Sequence, residues 1–346
     1  MSDQTKADIK LKARELGFDI CVVADAELPE KYSTVYEDWI AAEMHGTMDY
    51  LAKRLERNIR IADLLPGTKS MIMLGVNYHR PDEDKDVPNT HGQISRYAVT
   101  RDYHKTIRKK LKDLAAYITE TTETKTRVFV DTGPLMERAY AEMSGLGYVG
   151  KNTMLITENF GSWVFLACVL CELELHPDKN ELTIRCGSCR SCIDDCPTDA
   201  ILENGQLDAR KCISYLTIEN KGPIPLELRK DIGNWLFGCD ICQEVCPHNN
   251  RAQETQTDDF QAVRFENRHY DLSALLSIYT KDAFLENFAG TPIMRAGWAG
   301  MLRNAAVVAG NSRNDKLIPV LNKLIEEIDD EMVIEHAQWA IQELSV

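Results

Sequence analysis

The sequence predicts three parts: an α/β N-terminal domain over residues 1–175, a small cysteine-rich module over 176–258 and an all-α C-terminal domain over 259–346. Apolar runs of strand length alternate with amphipathic helical stretches as far as residue 171. Eight of the 11 cysteines then fall between positions 186 and 246. Beyond residue 298, apolar residues recur at helical spacing.

In the first part, residues 5–17 read as an amphipathic helix that Gly17 ends, and 18–24 as a buried strand. A helix is expected over 34–57, a turn at Leu64-Leu65-Pro66-Gly67, a second buried strand over 70–78 and a loop over 80–91. Residues 102–120 put Tyr103, Ile107, Leu111, Leu114 and Ile118 on one helical face, with Lys105, Arg108, Lys109 and Lys112 around the rest. A strand over 126–131 ends on Asp131, a helix follows over 133–143, and 145–152 form a glycine-rich turn without G-x-G-x-x-G or Walker spacing. That turn suits close backbone approach to a flat ligand. Residues 162–171 read as another buried strand. Cys168 and Cys171, three apart in it, point to opposite faces and are taken, with Cys21, as buried structural cysteines.

The cysteine-rich module runs Cys186-Gly-Ser-Cys189-Arg-Ser-Cys192-Ile-Asp-Asp-Cys196-Pro197, then Cys212, then Cys239-Asp-Ile-Cys242-Gln-Glu-Val-Cys246-Pro247. Three thiols followed by a fourth and a proline is the bacterial ferredoxin-like pattern, in which the fourth cysteine of each run serves the other cluster. Cys186, Cys189, Cys192 and Cys246 then hold one 4Fe-4S cluster, and Cys212, Cys239, Cys242 and Cys196 the second. Zinc is the competing reading of C-x2-C pairs, but no histidine stands at finger spacing. Disulfides do not suit clustered cysteines in a reducing compartment.

After a polar connection over 248–259, Trp298, Leu302, Ala305, Ala306 and Ala309 share a helical face, as do Leu317, Leu321, Leu324 and Ile328, then Ile334, Ala337, Ile341 and Leu344. Pro319 stands near a helix start. The arrangement resembles a HEAT-like repeat.

Forty basic against 54 acidic side chains give a net charge of -14, which works against general nucleic-acid binding and confines any RNA contact to a local basic surface. No apolar run approaches the roughly 20 residues that span a bilayer. The first ten residues carry neither an apolar h-region nor a twin-arginine pair, so the expectation is a cytoplasmic protein without membrane association. Two clusters alone would make an electron carrier; the large flanking domains imply a catalytic partner for the inner cluster. Flavin is possible, although no Rossmann fingerprint is present. The corrinoid signature Asp-x-His-x-x-Gly is missing too, since its nearest match, Asp102-Tyr-His104-Lys-Thr-Ile107, lacks the glycine.

Several blocks together resemble the epoxyqueuosine reductase family. They are Val130-Asp131-Thr-Gly-Pro-Leu-Met-Glu137-Arg-Ala, Gly147-Tyr-Val-Gly150-Lys151-Asn152, the run from Cys186 to Cys196-Pro-Thr-Asp-Ala, Lys211-Cys212-Ile-Ser214-Tyr-Leu-Thr, and Phe237-Gly-Cys239-Asp240-Ile-Cys242-Gln243-Glu-Val-Cys246-Pro. The likeness extends from the N-terminus through the helical tail, and the separated Cys212 is as that family has it. It implies reduction of the epoxide of epoxyqueuosine at the tRNA wobble position, with cobalamin in the N-terminal domain and two 4Fe-4S clusters. A cobalt centre would bridge single-electron supply and a two-electron reaction.

The resemblance also implies roles. Asp131, which spacing alone reads as a helix cap, becomes the candidate general acid, its pKa raised by burial; Glu137 is the second candidate. Cobalamin contacts are expected from Arg57, Ser95, Asp131, Lys151, Asn152, Ser214, Asp240 and Gln243. Lys221, Arg295, Arg303 and Arg313, with the basic face of the 102–112 helix, are the candidates for tRNA phosphate contacts, ordinary solvated surface being the alternative for each. The protein is expected to be a monomer that takes electrons from an external low-potential donor. The alternatives are a cobalamin-dependent reductive dehalogenase and a non-catalytic ferredoxin-like carrier on a helical scaffold.

Overall fold

In the computed structural model, residues 2–56, 61–81, 87–131, 133–178, 180–260, 265 and 268–346 are described. The first part is built on a four-stranded sheet of β1 (Ile20–Asp25), β2 (Ser70–Asn77), β4 (Thr126–Phe129) and β7 (Val164–Cys171), in the order β1-β2-β7-β4. Every position of β2 is buried. Its side chains alternate between two cores: Ile72, Leu74 and Val76 join Ile9 and Ala13 of the helix Ser2–Glu15 and Ile107, Leu111, Leu114 and Ile118 of the helix Tyr103–Thr122. Met71 and Met73 join Tyr140 and Ala141 of the helix Glu137–Met143. A strand covered on both faces reads as one continuous apolar run, whatever its direction. All three pairings are antiparallel, so the helix–strand alternation does not build the parallel sheet of a wound α/β fold. Cys168 and Cys171 do point into opposite cores. Cys21 is only half-buried, a correction to its core assignment.

The single helix expected over 34–57 is two, Glu30–Ala41 and Asp49–Glu56. Between them, Gly46 adopts φ 58°, and a Cβ there would lie 2.5 Å from the Tyr215 hydroxyl. The neighbouring Thr47 amide donates to that hydroxyl at 2.8 Å, so the break in the helix docks the N-terminal part on residues near Cys212.

Two small sheets have no counterpart among the strands expected from sequence. β5 (Tyr148–Val149) and β6 (Leu155–Ile156) pair across the glycine turn. β3 (His91–Ile94) lies between β8 (Trp235–Phe237) and β9 (His269–Asp271), parallel to β8 and antiparallel to β9. This second sheet joins three distant stretches of chain.

The same stretches share one hydrophobic core, which runs from Ile94 through Ile213, Leu216 and Phe237 to Ala340. At its centre is the helix Trp298–Asn311, buried at every position from Gly300 to Gly310. The sequence suggests a single apolar face; here the helix Glu331–Leu344, β8 and the helix Ile213–Ile218 all pack on it. Pro319 lies in the first turn of the helix Ile318–Glu327, where its missing N-H costs nothing. Among the described residues no helix is long and apolar enough to cross a membrane.

Candidate functional site

The eight thiols lie close enough to raise one another's pKa values, within the sets that spacing assigns and, between Cys192 and Cys242, across them. Burial pushes the Cys192 thiol up to about 11, and the next contributions come from Cys186, Cys246 and Cys189. Cys239 is raised by burial and then by its neighbours Cys212, Asp240 and Cys196, and Cys242 by burial, Cys239 and Cys212. Backbone amides point at sulfur: the Lys151 amide, from the glycine turn, donates to Cys186 Sγ at 3.5 Å and the Ala200 amide to Cys196 Sγ at 3.4 Å. Such bonds stabilise thiolate and help to set a cluster's potential.

The glycine turn is a clip on this module. Lys151 Nζ donates to the Gly187 and Cys189 carbonyls at 3.0 and 2.8 Å, and Asn152 Nδ2 to the Cys242 carbonyl at 3.1 Å. Asp240 and Gln243, 2% and 6% exposed, are turned inward. Asp240 Oδ2 accepts from the Arg96 amide at 2.8 Å and lies 3.5 Å from Arg268 Nη2, while Gln243 accepts from the Ser162 hydroxyl at 2.9 Å. The side-chain polar atoms of these two expected cobalamin contacts are engaged by protein. Ser95 differs: its Oγ is buried without a hydrogen-bond partner. Gly238, at φ 71°, leaves room for it where any Cβ would collide with that oxygen. Ser214 is half-buried on the helix that follows Cys212, and Arg57 lies outside the described residues.

A second group of side chains gathers at the end of β4. Asp131 has φ 53° and does not cap the next helix, which starts at Glu137 rather than near Pro134. Instead Asp131 Oδ2 accepts from the Tyr103 hydroxyl at 2.9 Å and lies 3.2 Å from His104 Nε2. His104 Nδ1 is 2.7 Å from Asp102 Oδ1, the carboxylate that also caps the helix by accepting from the His104 amide at 3.0 Å. Burial opposes charge on His104, but the bonds to Asp102 and Asp131 outweigh it and raise the imidazole to about 9. The His104 bond holds Asp131 below the ordinary carboxylate value, against the opposing effect of burial and with help from Tyr103. Asp131 is thus ionised at neutral pH, which corrects the expectation of a raised pKa. The raised carboxyl is Glu137, pushed up to about 8 by burial and then by the charge of Asp131, whose backbone amide it accepts at 3.0 Å. Sequence reasoning meets Asp102-Tyr-His104 only as an incomplete corrinoid signature. An N-cap aspartate two residues before a histidine at a helix start is the signal that could have singled it out.

The basic residues divide. Arg303 is a correction: it is 0% exposed, and its guanidinium donates to the carbonyls of Leu216 at 2.7 Å, Asn220 at 2.9 Å and Gly222 at 2.6 Å. Burial pulls its pKa down to about 10. It pins the segment between Cys212 and Cys239 from inside and cannot reach a phosphate. Lys221 Nζ donates to the Ile218 carbonyl at 2.8 Å and to that of Arg295, so its ammonium is also engaged. Arg295 remains at the surface, 53% exposed, in a two-bond pair with Glu219 at 2.8 and 3.0 Å. Arg313 is exposed.

Residues 58–132 match the family described as "Epoxyqueuosine reductase QueG, DUF1730", and residues 185–249 match a 4Fe-4S double cluster binding domain. The latter settles the choice between clusters and zinc. The chain is 42% identical over 346 residues to the epoxyqueuosine reductase of Aliivibrio fischeri, covering 98% of this chain and 91% of that protein. It is 42% identical over 341 residues to that of Pseudomonas aeruginosa, covering 96% and 93%. Among solved structures, an epoxyqueuosine reductase with an epoxyqueuosine-modified tRNA-Tyr stem loop superposes with a TM-score of 0.83 at 28% identity, over 99% of both chains. The Streptococcus thermophilus epoxyqueuosine reductase gives 0.86 at 28% identity, over 98% and 90%. A Bacillus subtilis structure, described as having its catalytic aspartate loop swung out of the active site, gives 0.79 at 27% identity, over 99% of both chains.

Proposed function

The chain belongs to the epoxyqueuosine reductase family, and from that premise we propose how its residues deoxygenate epoxyqueuosine in a tRNA anticodon. The reaction takes up two electrons and two protons: both C–O bonds of the epoxide break, a C=C bond forms and water leaves. The two four-thiol sets give electrons a route in. The observation that carries the reading is His104 Nε2 held 3.2 Å from Asp131 Oδ2, with Asp102 at the other ring nitrogen.

Asp131, ionised at rest, faces the departing oxygen and relays to it a proton taken from His104 across the Nε2–Oδ2 contact. Asp102 keeps His104 oriented and charged. Glu137 holds a further proton near neutrality and fixes the Asp131 backbone through its amide. Positioned acids of this kind contribute roughly 100- to 10,000-fold.

The family resemblance also implies cobalamin. The orphaned Ser95 Oγ, deep in the protein beside the second thiol set, fits a polar group of such a ligand. Ser95, with Ser214 and backbone at Lys151 and Asn152, would hold it. When bound, it would supply the two-electron chemistry that single-electron carriers lack. The tail is read as a HEAT-like domain over 259–346 that contacts tRNA through Arg295 and Arg313. An external low-potential donor feeds the outer cluster of a monomeric, cytoplasmic protein. The reading is tested by incubating the cluster-loaded, cobalamin-supplied protein with epoxyqueuosine-containing tRNA under reducing conditions and weighing the released nucleoside. Loss of one oxygen supports it, and unchanged mass after full loading overturns it.

A further inference from the structure

Tyr50 is one of the few large hydrophobic side chains left open to solvent, at 39% exposure. It sits in the first turn of the helix Asp49–Glu56, and two guanidinium groups lie over its ring. Arg54 Cζ is 5.2 Å from the ring centroid and Arg295 Cζ 5.8 Å. Arg54 comes from the same helix; Arg295 comes from the far end of the chain and is tied to Glu219 in the segment between Cys212 and Cys239. Among the described residues no carboxylate forms an ion pair with Arg54. The patch lies within electrostatic reach of the acid group: the charge of Asp131 acts on the Tyr50 hydroxyl, and that of Arg54 on Glu137.

A partly exposed aromatic ring flanked by arginines suits a single-stranded nucleotide, whose base can stack on the ring as its phosphate draws a guanidinium to itself. We propose that Tyr50, Arg54 and Arg295 form a stacking platform for an anticodon-loop nucleotide next to the one being reduced. This rests on the tRNA reading above. A nucleotide lifted from the loop loses stacking with its neighbour, and Tyr50 replaces that partner. Glu219 orients Arg295 by its two bonds, leaving the group's remaining N-H donors for RNA.

The test uses the full chain with clusters loaded and an anticodon stem-loop RNA carrying 2-aminopurine beside the wobble position. Wild type is expected to quench the fluorophore on binding. Tyr50→Leu should abolish the quenching and weaken affinity about tenfold, while Tyr50→Trp restores both. Arg54→Gln should lower the slope of log affinity against log salt by about one. Iron content and melting temperature identify any variant that has lost its fold, in which case Tyr50→Trp and Arg54→Gln decide. Quenching and affinity unchanged in Tyr50→Leu, or an unchanged salt slope in Arg54→Gln, would overturn the platform. If wild type binds and quenches but leaves epoxyqueuosine intact, the functional reading fails while the platform stands. Normal turnover with normal quenching in Tyr50→Leu gives the reverse.

Discussion

His104 turns Nε2 to within 3.2 Å of Asp131 Oδ2, with its Nδ1 2.7 Å from Asp102. One imidazole with an acceptor at each nitrogen carries both protons. A cation is thereby stored behind the carboxylate that faces the site.

The first consequence is a pH limit. His104 is raised to about 9 in the folded protein against about 6.5 when unfolded. Its contribution to stability is therefore complete below about 6.5 and is lost as pH rises through 9. Single-turnover epoxide reduction should fall in the same upper range, and a rate that holds flat to pH 10 would rule out His104 as the proton store.

Asp102→Asn separates charge from capping. Asparagine caps a helix about as well as aspartate, so the melting temperature should change little. With one carboxylate gone, the alkaline limb should move toward the unperturbed imidazole value of about 6.5. An unmoved limb would mean that Asp131 alone charges His104.

Asp131→Asn should slow the same reaction by roughly 100- to 10,000-fold while iron content stays full. A wild-type single-turnover rate in that variant would remove Asp131 from the mechanism.

Arg303→Met should act on stability rather than on RNA contact. It leaves the carbonyls of Leu216, Asn220 and Gly222 without their buried donor, at about 1–3 kcal/mol for each unsatisfied group. The melting temperature should drop, and iron should be lost first from the set containing Cys212. Thermal melts with iron analysis would reveal the opposite case, an unchanged protein.

Cys212→Ser should remove about four iron atoms per chain. Cys168→Ala should remove none, because Cys168 is packed in the core between β2 and the helix Glu137–Met143. Iron loss in Cys168→Ala would contradict its assignment to packing.

Much of the architecture was legible because its signals are local. The continuous apolar runs of β2 and β7 announce strands covered on both faces, and the amphipathic stripe of residues 103–122 announces its helix. Their antiparallel pairing was not legible, since a strand buried on both sides looks the same in either direction. β3 and β9 were missed because each is short and becomes a strand only beside a partner far away in the chain, β3 beside β8 and β9 beside β3.

By itself the sequence determined that this is a double-cluster module, because its cysteine spacing is a local signal, and it marked Asp131 as a carboxylate at a strand end. Only the tertiary structure decided the states of the polar groups. His104 is 27 residues from Asp131, and Arg303 is 87 from Leu216. A pKa or a buried charge is set by whatever groups lie within a few ångströms. Those neighbours come from chain folding back on itself, so the proton on His104 and the burial of Arg303 exist only in three dimensions.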